Sequence, residues 1–288
     1  MDDTPTWDQG RNGELRRVSA FASVLTAPNP GPMTLDGTNS YVLGLPGADS
    51  VVVVDPGPAD EGHLRALAAA GRVELVLVTH HHPDHTEGID RLHALTGAPV
   101  RAALPEFCRD AAPGADAGSA HGAQPLGDRE VIRAAGLLVH VLSTPGHTSD
   151  SVSFFLPGDG ARGAMLTGDT LLGRGTTILD FPDGTLGDYL ASLEILGGFG
   201  AARLLPAHGP DHADLGAVVA QYRAHRVERL DQIRAALAGL GFDGSGAAPS
   251  VAAVADVVYA DVDPSVRGAA ERSVAAQLHY LLGGPGRL

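Results

Sequence analysis

The sequence predicts an α/β protein in which helices pack over β-sheets, followed by a small helical appendage. Strand-like apolar runs and helix-like segments alternate through two successive halves of the first 213 residues, which is typical of helices that cover sheets. Beyond residue 213 only helical periodicity remains. A chain of 288 residues is long enough for one large domain and an appendage, so we place the boundary between 1–213 and 214–288.

The first half begins after residues 1–13, which have no periodic pattern and are interpreted as a loose N-terminal segment. Four consecutive valines, 51–54, end at Asp55, Pro56 and Gly57, which is typical of a fully buried strand that runs into a turn. The segment 60–71 has apolar residues at helical spacing and stops at a glycine. The elements predicted next are a buried strand at 73–80, a helix at 86–96 and a strand at 98–103.

The second half follows a segment rich in Ala, Gly, Asp and Pro, residues 110–127, which predicts a mobile surface loop. Apolar runs separated by turn residues then predict a series of strands. These strands are predicted at 129–134, 137–143, 151–156, 163–167 and 203–205, with a helix at 185–198 before the last.

The tail is predicted to contain three helices and suggests a reduced winged-helix unit. Residues 214–239 form a long amphipathic pattern. Its apolar face is predicted to contain Val218, Tyr222, Val227, Leu230, Ile233 and Leu237. A linker at 241–249, rich in Gly, Ser, Ala and Pro, precedes helices at 250–260 and 264–282, for which Ser250 and Asp263 are the predicted N-caps.

Charge and cysteine content exclude several classes of protein. The net charge is −14 and all 20 cations are arginines, which disfavours a general polyanion binder and excludes a Schiff-base lysine or a Walker-type phosphate loop. The single Cys108 excludes an internal disulfide and a cysteine-rich metal cage, and we interpret it as a half-buried helix residue and not a nucleophile.

No apolar run approaches the roughly 18 residues of a membrane span and no secretory signal is recognisable, so we expect a cytoplasmic protein without a membrane partner.

The residues with the most distinctive chemistry lie in the stretch 79–88, at the end of a predicted buried strand. His80, His82, Asp84 and His85 can be presented together by a strand end and a tight turn. Neutral imidazole and carboxylate are ligands that zinc prefers, at about 2.0–2.2 Å. A surface polyhistidine cluster is the alternative, and it is disfavoured because this cluster is internal and follows a buried strand.

Three further strand ends each place one metal-ligand type of side chain beside a glycine. They are His147 in the sequence PGHT, Asp169 in TGDT and His208 in PAHGP. Glycine allows the backbone to pack closely around an ion. One such residue alone is more often structural than a ligand, but the three in this order after the histidine cluster indicate a metal centre.

The combination HxHxDH, PGHT, GD and HG, preceded by VVVDPG, resembles the metallo-β-lactamase superfamily. Longer segments, among them NPGPMTLDGTNSYVLG, THHHPDHTEGID and QYRAHRVERLDQI, are similar to the branch with the mitochondrial β-lactamase-like endoribonuclease and glyoxalase-II-like hydrolases. The resemblance extends from about Val18 to Leu282. It implies an αββα sandwich of two mixed sheets flanked by helices, with 1–213 as the catalytic domain and a winged-helix-like appendage at 214–288.

The resemblance also implies a set of ligands and supporting residues. The family pattern divides seven ligands between two ions: His80, His82 and His147 for the first, Asp84, His85 and His208 for the second, and Asp169 between them. Asp55 matches the carboxylate that orients a ligand from outside the coordination sphere. His81 occupies the variable position of HxHxDH and could compete as a ligand. Because alternate residues at a strand end point oppositely, we expect it instead to support the site from outside the coordination sphere or to lie at the surface. His212 is a further candidate for a supporting role, and the remaining histidines are expected to be ordinary residues.

This site implies a hydrolase with two Zn²⁺ ions per chain. A metal-bound water has its pKa lowered towards about 7, so hydroxide is available to attack a carbonyl or a phosphorus. Asp84 is the candidate catalytic residue, because its carboxylate can orient the nucleophile and move a proton besides binding metal.

Three functions remain open. They are hydrolysis of an acyl substrate such as a thioester, ester or lactone, cleavage of single-stranded RNA, and a non-catalytic metal-binding module. The module is disfavoured, because seven ligands for two ions leave open coordination positions. The family resemblance points to RNA, whereas the acidity and the absence of lysine favour a small or carrier-bound acyl substrate. We favour acyl hydrolysis, with the endoribonuclease as the alternative and the oligomeric state left open.

The tail is expected to influence substrate choice. None of the seven ligand candidates lies in 214–288, so we expect the tail to shape access to the site and not to build it. Arg223, Arg226 and Arg229 fall close together on the first tail helix and are the candidate RNA-binding patch.

Overall fold

A computed structural model describes residues 14–113, 122–260 and 267–283. The N-terminal segment 1–13, the centre of the predicted loop at 110–127 and the predicted N-cap Asp263 lie outside these residues.

The first half of the chain forms a six-stranded sheet. Its strands follow one another in space as in the chain: β1 (Arg16–Arg17), β2 (Ala22–Thr26), β3 (Asn39–Leu43), β4 (Ser50–Val54), β5 (Arg72–Leu77) and β6 (Val100–Arg101). β1 to β4 pair antiparallel and β4 to β6 pair parallel, so the sheet is mixed. The parallel pairs require crossovers. These crossovers contain α1 (Glu61–Ala69), the short α2 (Pro83–Thr86) and α3 (Ile89–Thr96).

The second half forms a five-stranded sheet that is also mixed. Its strands are β7 (Val131–Ala134), β8 (Leu137–Ser143), β9 (Val152–Leu156), β10 (Ala164–Leu166) and β11 (Arg203–Leu205). In space they run from β11 through β10, β9 and β8 to β7, and only β10 and β11 pair parallel. The crossover between these two strands contains α4 (Leu186–Gly197), which begins at its N-cap Thr185.

The two sheets pack face to face with helices outside them, as the period-two pattern of β4 illustrates. Val52 and Val54 belong to the apolar core between the sheets, whereas Val53 faces the outer cluster. That outer cluster also holds Leu64 of α1 and Leu92 of α3. The side chains of β4 are therefore buried on both faces, with Val51 partly so, which explains the uninterrupted valine run. The predicted αββα sandwich of two mixed sheets is confirmed.

The tail contains three helices, α5 (Leu215–Gly239), α6 (Val251–Val258) and α7 (Arg267–Leu282). Ser250 caps α6 as predicted, since its side chain accepts a hydrogen bond from the backbone of Ala253. The helical appendage is confirmed, and residues 214–260 and 267–283 contain no strand that could form a wing. None of the helices in the described ranges combines the length and the apolar character needed to cross a bilayer.

The tail helices share one apolar cluster with the second sheet and α4. Met165 of β10, Leu193 of α4, Leu230 of α5 and Val274 of α7 all belong to it. The predicted boundary between 213 and 214 falls between β11 and α5, and the division into two domains remains a prediction.

The buried face of α5 differs from the predicted one at a single position. Val227 is 56% exposed, whereas Arg226 is only 4% exposed. The buried positions follow steps of four, four, four, three and four: Val218, Tyr222, Arg226, Leu230, Ile233 and Leu237. A helix of 3.6 residues per turn therefore places residue 226, and not 227, on this face. The prediction for Val227 is wrong, and so is the inclusion of Arg226 in a surface patch.

The segment around Cys108 is less regular than predicted. The strand expected at 98–103 is limited to Val100–Arg101. Cys108 follows a single 3₁₀ turn, Pro105–Phe107, and has extended backbone dihedral angles, so the prediction that it lies in a helix is wrong. It is buried, with its thiol near the carbonyls of Ala102 and Leu104.

Candidate metal centre

The seven ligand candidates lie at one edge of the sandwich, because each follows the carboxyl end of a strand. β5 leads to His80 and the turn that contains Asp84, while β8 leads to His147. The parallel neighbours β10 and β11 end side by side, just before Asp169 and His208. A backbone bridge between Thr38 and His208 and a hydrogen bond from Val152 N to Thr79 O join the two sheets at this edge.

His80, His82 and His147 form the first ligand set. His82 Nδ1 lies 3.1 Å from His80 Nε2 and 3.1 Å from His147 Nε2. A tetrahedral zinc ion with Zn–N bonds of about 2.0–2.1 Å separates its nitrogen ligands by roughly 3.3 Å. The three nitrogens are therefore spaced as ligands of one ion.

Asp84, His85 and His208 form the second ligand set. Asp84 Oδ2 lies 3.3 Å from His85 Nε2 and 3.3 Å from His208 Nε2. Both histidines are fully buried, whereas the Asp84 side chain is 27% exposed. An ion held by this set would therefore have its open side next to the carboxylate of Asp84.

Asp169 lies between the two sets and turns one oxygen towards each. Its Oδ1 is 3.3 Å from His208 Nε2 and 3.6 Å from His85 Nε2. Its Oδ2 is 3.7 Å from His147 Nε2. A carboxylate in this position could offer one oxygen to an ion of each set.

In the neutral form of each histidine, the hydrogen bonds around the ring leave a lone pair directed towards the centre. An acceptor oxygen fixes the proton on the neighbouring ring nitrogen, which determines the tautomer. The pairs are His80 Nδ1 with Thr79 Oγ1, His82 Nε2 with Asp180 Oδ2, His85 Nδ1 with Asp55 Oδ2, His147 Nδ1 with Ile178 O, and His208 Nδ1 with Gly37 O. Thr79 Oγ1 is an acceptor here because its own hydrogen goes to Asp55.

The converging lone pairs and carboxylate oxygens form groups that could hold cations. His85 Nε2 and Asp169 Oδ1 are buried and have no partner with hydrogen-bond geometry among the described residues. Unpaired buried polar atoms are costly, and this cost disappears when both atoms bind a metal ion. The residues therefore fit a pair of divalent cations with nitrogen and oxygen ligands.

Burial keeps the histidines of the first set neutral. It lowers the pKa of His80 well below the usual value, and the neighbouring His85 and His147 act in the same direction. Burial also lowers the pKa of His147, against the opposing effect of Asp169. Neutral imidazole is the form that binds metal, so these rings are ready to act as ligands.

In the second set, the interactions between charged groups outweigh the effect of burial on the pKa values. Burial acts to lower the pKa of His208, but Asp169 and Asp84 raise it to about 9. Burial acts to raise the pKa of Asp84, yet the imidazoles of His208 and His85 lower it far below the usual value. Protons on the imidazoles thus neutralise the carboxylates, and a divalent cation would take the place of these protons.

Asp55 supports the second set from behind. Its carboxylate accepts hydrogen bonds from Thr79 N at 2.7 Å, Thr79 Oγ1 at 2.8 Å and His85 Nδ1 at 2.9 Å. Asp55 has a positive φ of 54°, an uncommon conformation for a residue other than glycine. The turn after β4 therefore directs this carboxylate to His85, where it fixes the orientation of the ring.

His81 and His212 do not contribute atoms to either set. His81 Nδ1 lies 2.7 Å from Asp150 Oδ1. His212 Nε2 lies 2.6 Å from Gly173 O, and Gly173 N donates to the backbone oxygen of His208. The hydrogen bond of His212 thus holds the loop beside His208, and it is not made to the imidazole ring of His208. The supporting roles of both histidines remain predictions.

Two glycines allow the close packing that the centre requires. Gly168, before Asp169, has a φ of 51°, and an added Cβ would lie 2.8 Å from the Thr79 side chain. Gly146, before His147, has a φ of 131°, and an added Cβ would collide with the backbone of Tyr189. Both positions therefore require glycine.

Several contacts with the ligand candidates were not expected from the sequence, among them those of Asp180 and Thr38. Thr38 is fully buried, and its Oγ1 donates a hydrogen bond to Asp84 Oδ2 at 2.9 Å. Asn29 fixes Thr38, because its Oδ1 accepts from Thr38 N and its Nδ2 donates to Thr38 Oγ1. Both residues lie in the segment NPGPMTLDGTN, but a hydroxyl and an amide have no chemistry that distinguishes them in a sequence.

The fold agrees with comparisons with known proteins. Residues 33–208 match the family model of the metallo-beta-lactamase superfamily, which covers more than half of the chain. The chain belongs to the metallo-β-lactamase superfamily.

Two relatives and one solved structure are similar over most of the chain. The beta-lactamase-like protein 2 homolog of Caenorhabditis elegans is 30% identical over 76% of this chain and 72% of its own length. The atrochrysone carboxyl ACP thioesterase of Aspergillus chevalieri is 31% identical over 78% of this chain and 68% of its own length. The crystal structure of a metallo-beta-lactamase family protein of Thermus thermophilus has a TM-score of 0.68 and 27% identity, covering 90% of this chain and 92% of that one. The chain is a hydrolase of this superfamily.

Proposed function

We propose that the chain is a dinuclear zinc hydrolase of an acyl substrate, a thioester, ester or lactone. The observation that carries the proposal is the pair of ligand sets joined by Asp169, whose Oδ1 is buried without a hydrogen-bond partner among the described residues. The ions, when bound, supply Lewis acidity and lower the pKa of a coordinated water.

The ligands divide as the family pattern implies. His80, His82 and His147 would hold one ion, and Asp84, His85 and His208 the other. Asp169 would contribute one oxygen to each. Catalytic zinc keeps a position for water or substrate and can expand its coordination, so this ligand set suits catalysis better than a closed structural site.

Asp84 is proposed as the catalytic carboxylate. Its hydrogen bond with Thr38 and its short distances to His85 and His208 all involve Oδ2. Oδ1 is therefore left to accept a hydrogen bond from the nucleophilic water and to receive its proton. The partial exposure of this side chain agrees with a position at the substrate side of the centre.

The arginines of the tail support an acyl substrate over RNA. Arg226 is buried, so it cannot contact a phosphate backbone. Arg223 lies 3.7 Å from Glu194, and the guanidinium of Arg229 stacks on the ring of Tyr259. The candidate patch thus loses one cation and has a second paired with a carboxylate, which weakens the electrostatic attraction that RNA binding needs.

The name of one relative favours a carrier-bound acyl group as the substrate class. This relative is named an atrochrysone carboxyl ACP thioesterase. A thioester carbonyl is an electrophile that the arrangement of Asp84 and two Lewis-acidic ions can serve. The endoribonuclease remains the second candidate, because the sequence resembles that branch.

The experiment that tests the proposal is a parallel assay of the zinc-loaded protein. Short-chain and aromatic acyl thioesters, a lactone and labelled single-stranded RNA are supplied under one buffer condition, with Asp84→Asn and the metal-free protein as controls. We expect acyl hydrolysis that both controls lose. RNA cleavage without acyl hydrolysis would establish the alternative, and a protein that binds two ions without either activity would support the non-catalytic module.

A further inference from the structure

The loop 169–180 touches both ligand sets, and we call it the bridging loop. It begins with Asp169, whose carboxylate lies between the sets. Near its end, Ile178 O accepts a hydrogen bond from His147 Nδ1 at 2.7 Å, and Asp180 N donates to His147 O at 2.9 Å. The positions of a bridging ligand and of a ligand of the first set therefore depend on this loop.

Thr177 closes the bridging loop on itself. Its side chain is buried, with an exposed fraction of 3% for the residue. Its Oγ1 donates to Asp169 O at 2.8 Å and lies 3.3 Å from Thr170 O. Thr177 thus connects the two ends of the loop, since it is bonded to Asp169 and precedes Ile178 in the chain.

Arg226 reaches this loop from the buried face of α5. Its Nη2 donates a short hydrogen bond to Thr177 O, and its guanidinium lies over the ring of Tyr189, 4.7 Å from the centroid. No carboxylate of the described residues lies within 4.0 Å of its nitrogens, and Nε is buried without an acceptor among those residues. A buried guanidinium is costly unless it is paired, so packing alone would favour an apolar residue here.

Two tyrosines hold the same loop from the same side. Tyr189 of α4 donates from its hydroxyl to Thr170 O at 2.7 Å. The hydroxyl of Tyr222 of α5 accepts from Leu172 N at 3.0 Å. The bridging loop is therefore fixed at Thr170, Leu172 and Thr177, and two of the three contacts come from the tail helix α5.

We propose that Arg226 is a positioning residue of the metal centre: it holds Thr177 and, through it, Asp169 and His147. This inference depends on the proposed function, because it assumes that Asp169 and His147 bind metal. It revises the expectation that the tail only shapes access to the site. α5 contributes no ligand, but it supports the loop that carries the ligand shared by both ions.

The test compares two pairs of substitutions and one control. Arg226→Met removes the charge and the hydrogen bond at similar volume, while Arg226→Lys keeps a cation that can donate to Thr177 O. Thr177→Val removes the hydroxyl at constant shape, while Thr177→Ser keeps it. Arg223→Met is the control, because it changes an exposed arginine on the same helix. Zinc affinity and stoichiometry are measured on the metal-free proteins by competition with a chromophoric chelator, and their folding stability by denaturant titration.

We expect Arg226→Met and Thr177→Val each to weaken the binding of zinc at least tenfold. Arg226→Lys and Thr177→Ser should recover most of this loss, and Arg223→Met should bind as the wild type does. The double variant Arg226→Met, Thr177→Val should have a zinc affinity only slightly below that of the single variant that binds zinc less tightly. Both substitutions interrupt one chain of contacts, so their effects should not add.

Two results would overturn the inference. One is zinc affinity within twofold of wild type for both disruptive variants. The other is a loss that the conservative variants do not recover. A purely structural role would lower the stability of the metal-free protein without changing its zinc affinity. If Arg226→Met does not fold, the Thr177 pair decides the outcome alone. Failure of the wild type itself to bind two ions would instead refute the proposed dinuclear centre.

Discussion

Thr38 donates its hydroxyl hydrogen to Asp84 Oδ2, the same oxygen that lies 3.3 Å from His85 Nε2 and from His208 Nε2. The carboxylate of Asp84 is therefore oriented by a residue that precedes β3, in addition to the two histidines. Because these three partners hold Oδ2 in place, the direction in which Oδ1 points is fixed as well. This geometry leads to the first prediction.

Thr38→Val should lower kcat about tenfold or more with little change in KM. A hydrogen bond to a charged group contributes about 1.5–3 kcal/mol, and each 1.36 kcal/mol of barrier is about tenfold in rate. Steady-state kinetics on the acyl substrate found in the parallel assay measure the effect. Thr38→Ser is the matched control, because it keeps the hydroxyl and should stay close to wild type. A kcat of Thr38→Val within threefold of wild type would contradict the role given to Thr38.

Asp84→Asn should keep the fold and lose most of the rate. The amide preserves the shape of the side chain but cannot take up a proton from the nucleophile. Circular dichroism and denaturant titration report the fold, and turnover of the same substrate reports the rate. Activity within about threefold of wild type, less than 1 kcal/mol of barrier, would mean that Asp84 has no catalytic role.

The purified protein should contain close to two metal ions per chain. His208→Asn should retain fewer ions, because it removes one ligand of the second set. His140→Asn, a change on β8 beside Phe155, is the control and should retain both. Elemental analysis gives the identity and number of ions, and dialysis against a chelator should abolish activity and lower the melting temperature. Full activity with one ion, and no gain on adding more, would refute the dinuclear centre.

His63 should make the protein less stable in mild acid. Burial lowers the pKa of His63 to about 4, against the opposing effects of Asp60 and the Pro56 backbone. The unfolded chain, with a histidine pKa of about 6.5, takes up a proton that the folded chain resists. The free energy of unfolding should therefore fall as the pH decreases from about 6.5 to 4, by at most about 3 kcal/mol from this group.

Denaturant titrations at several pH values between 4 and 7.5 measure this effect. His63→Gln keeps a polar side chain long enough to meet the Ser40 hydroxyl, which contacts Nε2 of His63, but it cannot be protonated. The variant should show a shallower fall in stability with decreasing pH than wild type, whatever its stability at pH 7.5. Parallel curves for the two proteins would show that His63 does not titrate on unfolding.

Much of the fold and the position of the seven ligand candidates could be predicted from sequence. The valine run of β4 is buried on both faces, so an uninterrupted apolar pattern was sufficient to identify it. His147, Asp169 and His208 each follow a short apolar run and lie beside a glycine. Strand ends and glycines are local signals, and a sequence displays them directly.

The supporting residues could not be predicted, because their contacts join distant segments. Thr38 meets Asp84, and Arg226 meets Thr177, only after the sheets and α5 have packed. The choice between Arg226 and Val227 shows the same limit. Apolar character favoured Val227, whereas the period of the helix and the tertiary contact place the arginine inside.

The distribution of the ligands along the chain has a consequence for biosynthesis. Asp84 and His85 come from the first half of the chain, whereas His208 follows the last strand of the second sheet. A nascent chain that has completed only the first sheet carries the histidine cluster without the residues that complete either set. The proposed metal centre would therefore be completed only late in the synthesis of the chain. Arg226 lies still later in the chain, on α5. The contact between Arg226 and Thr177 of the bridging loop can therefore form only after that helix has been synthesised.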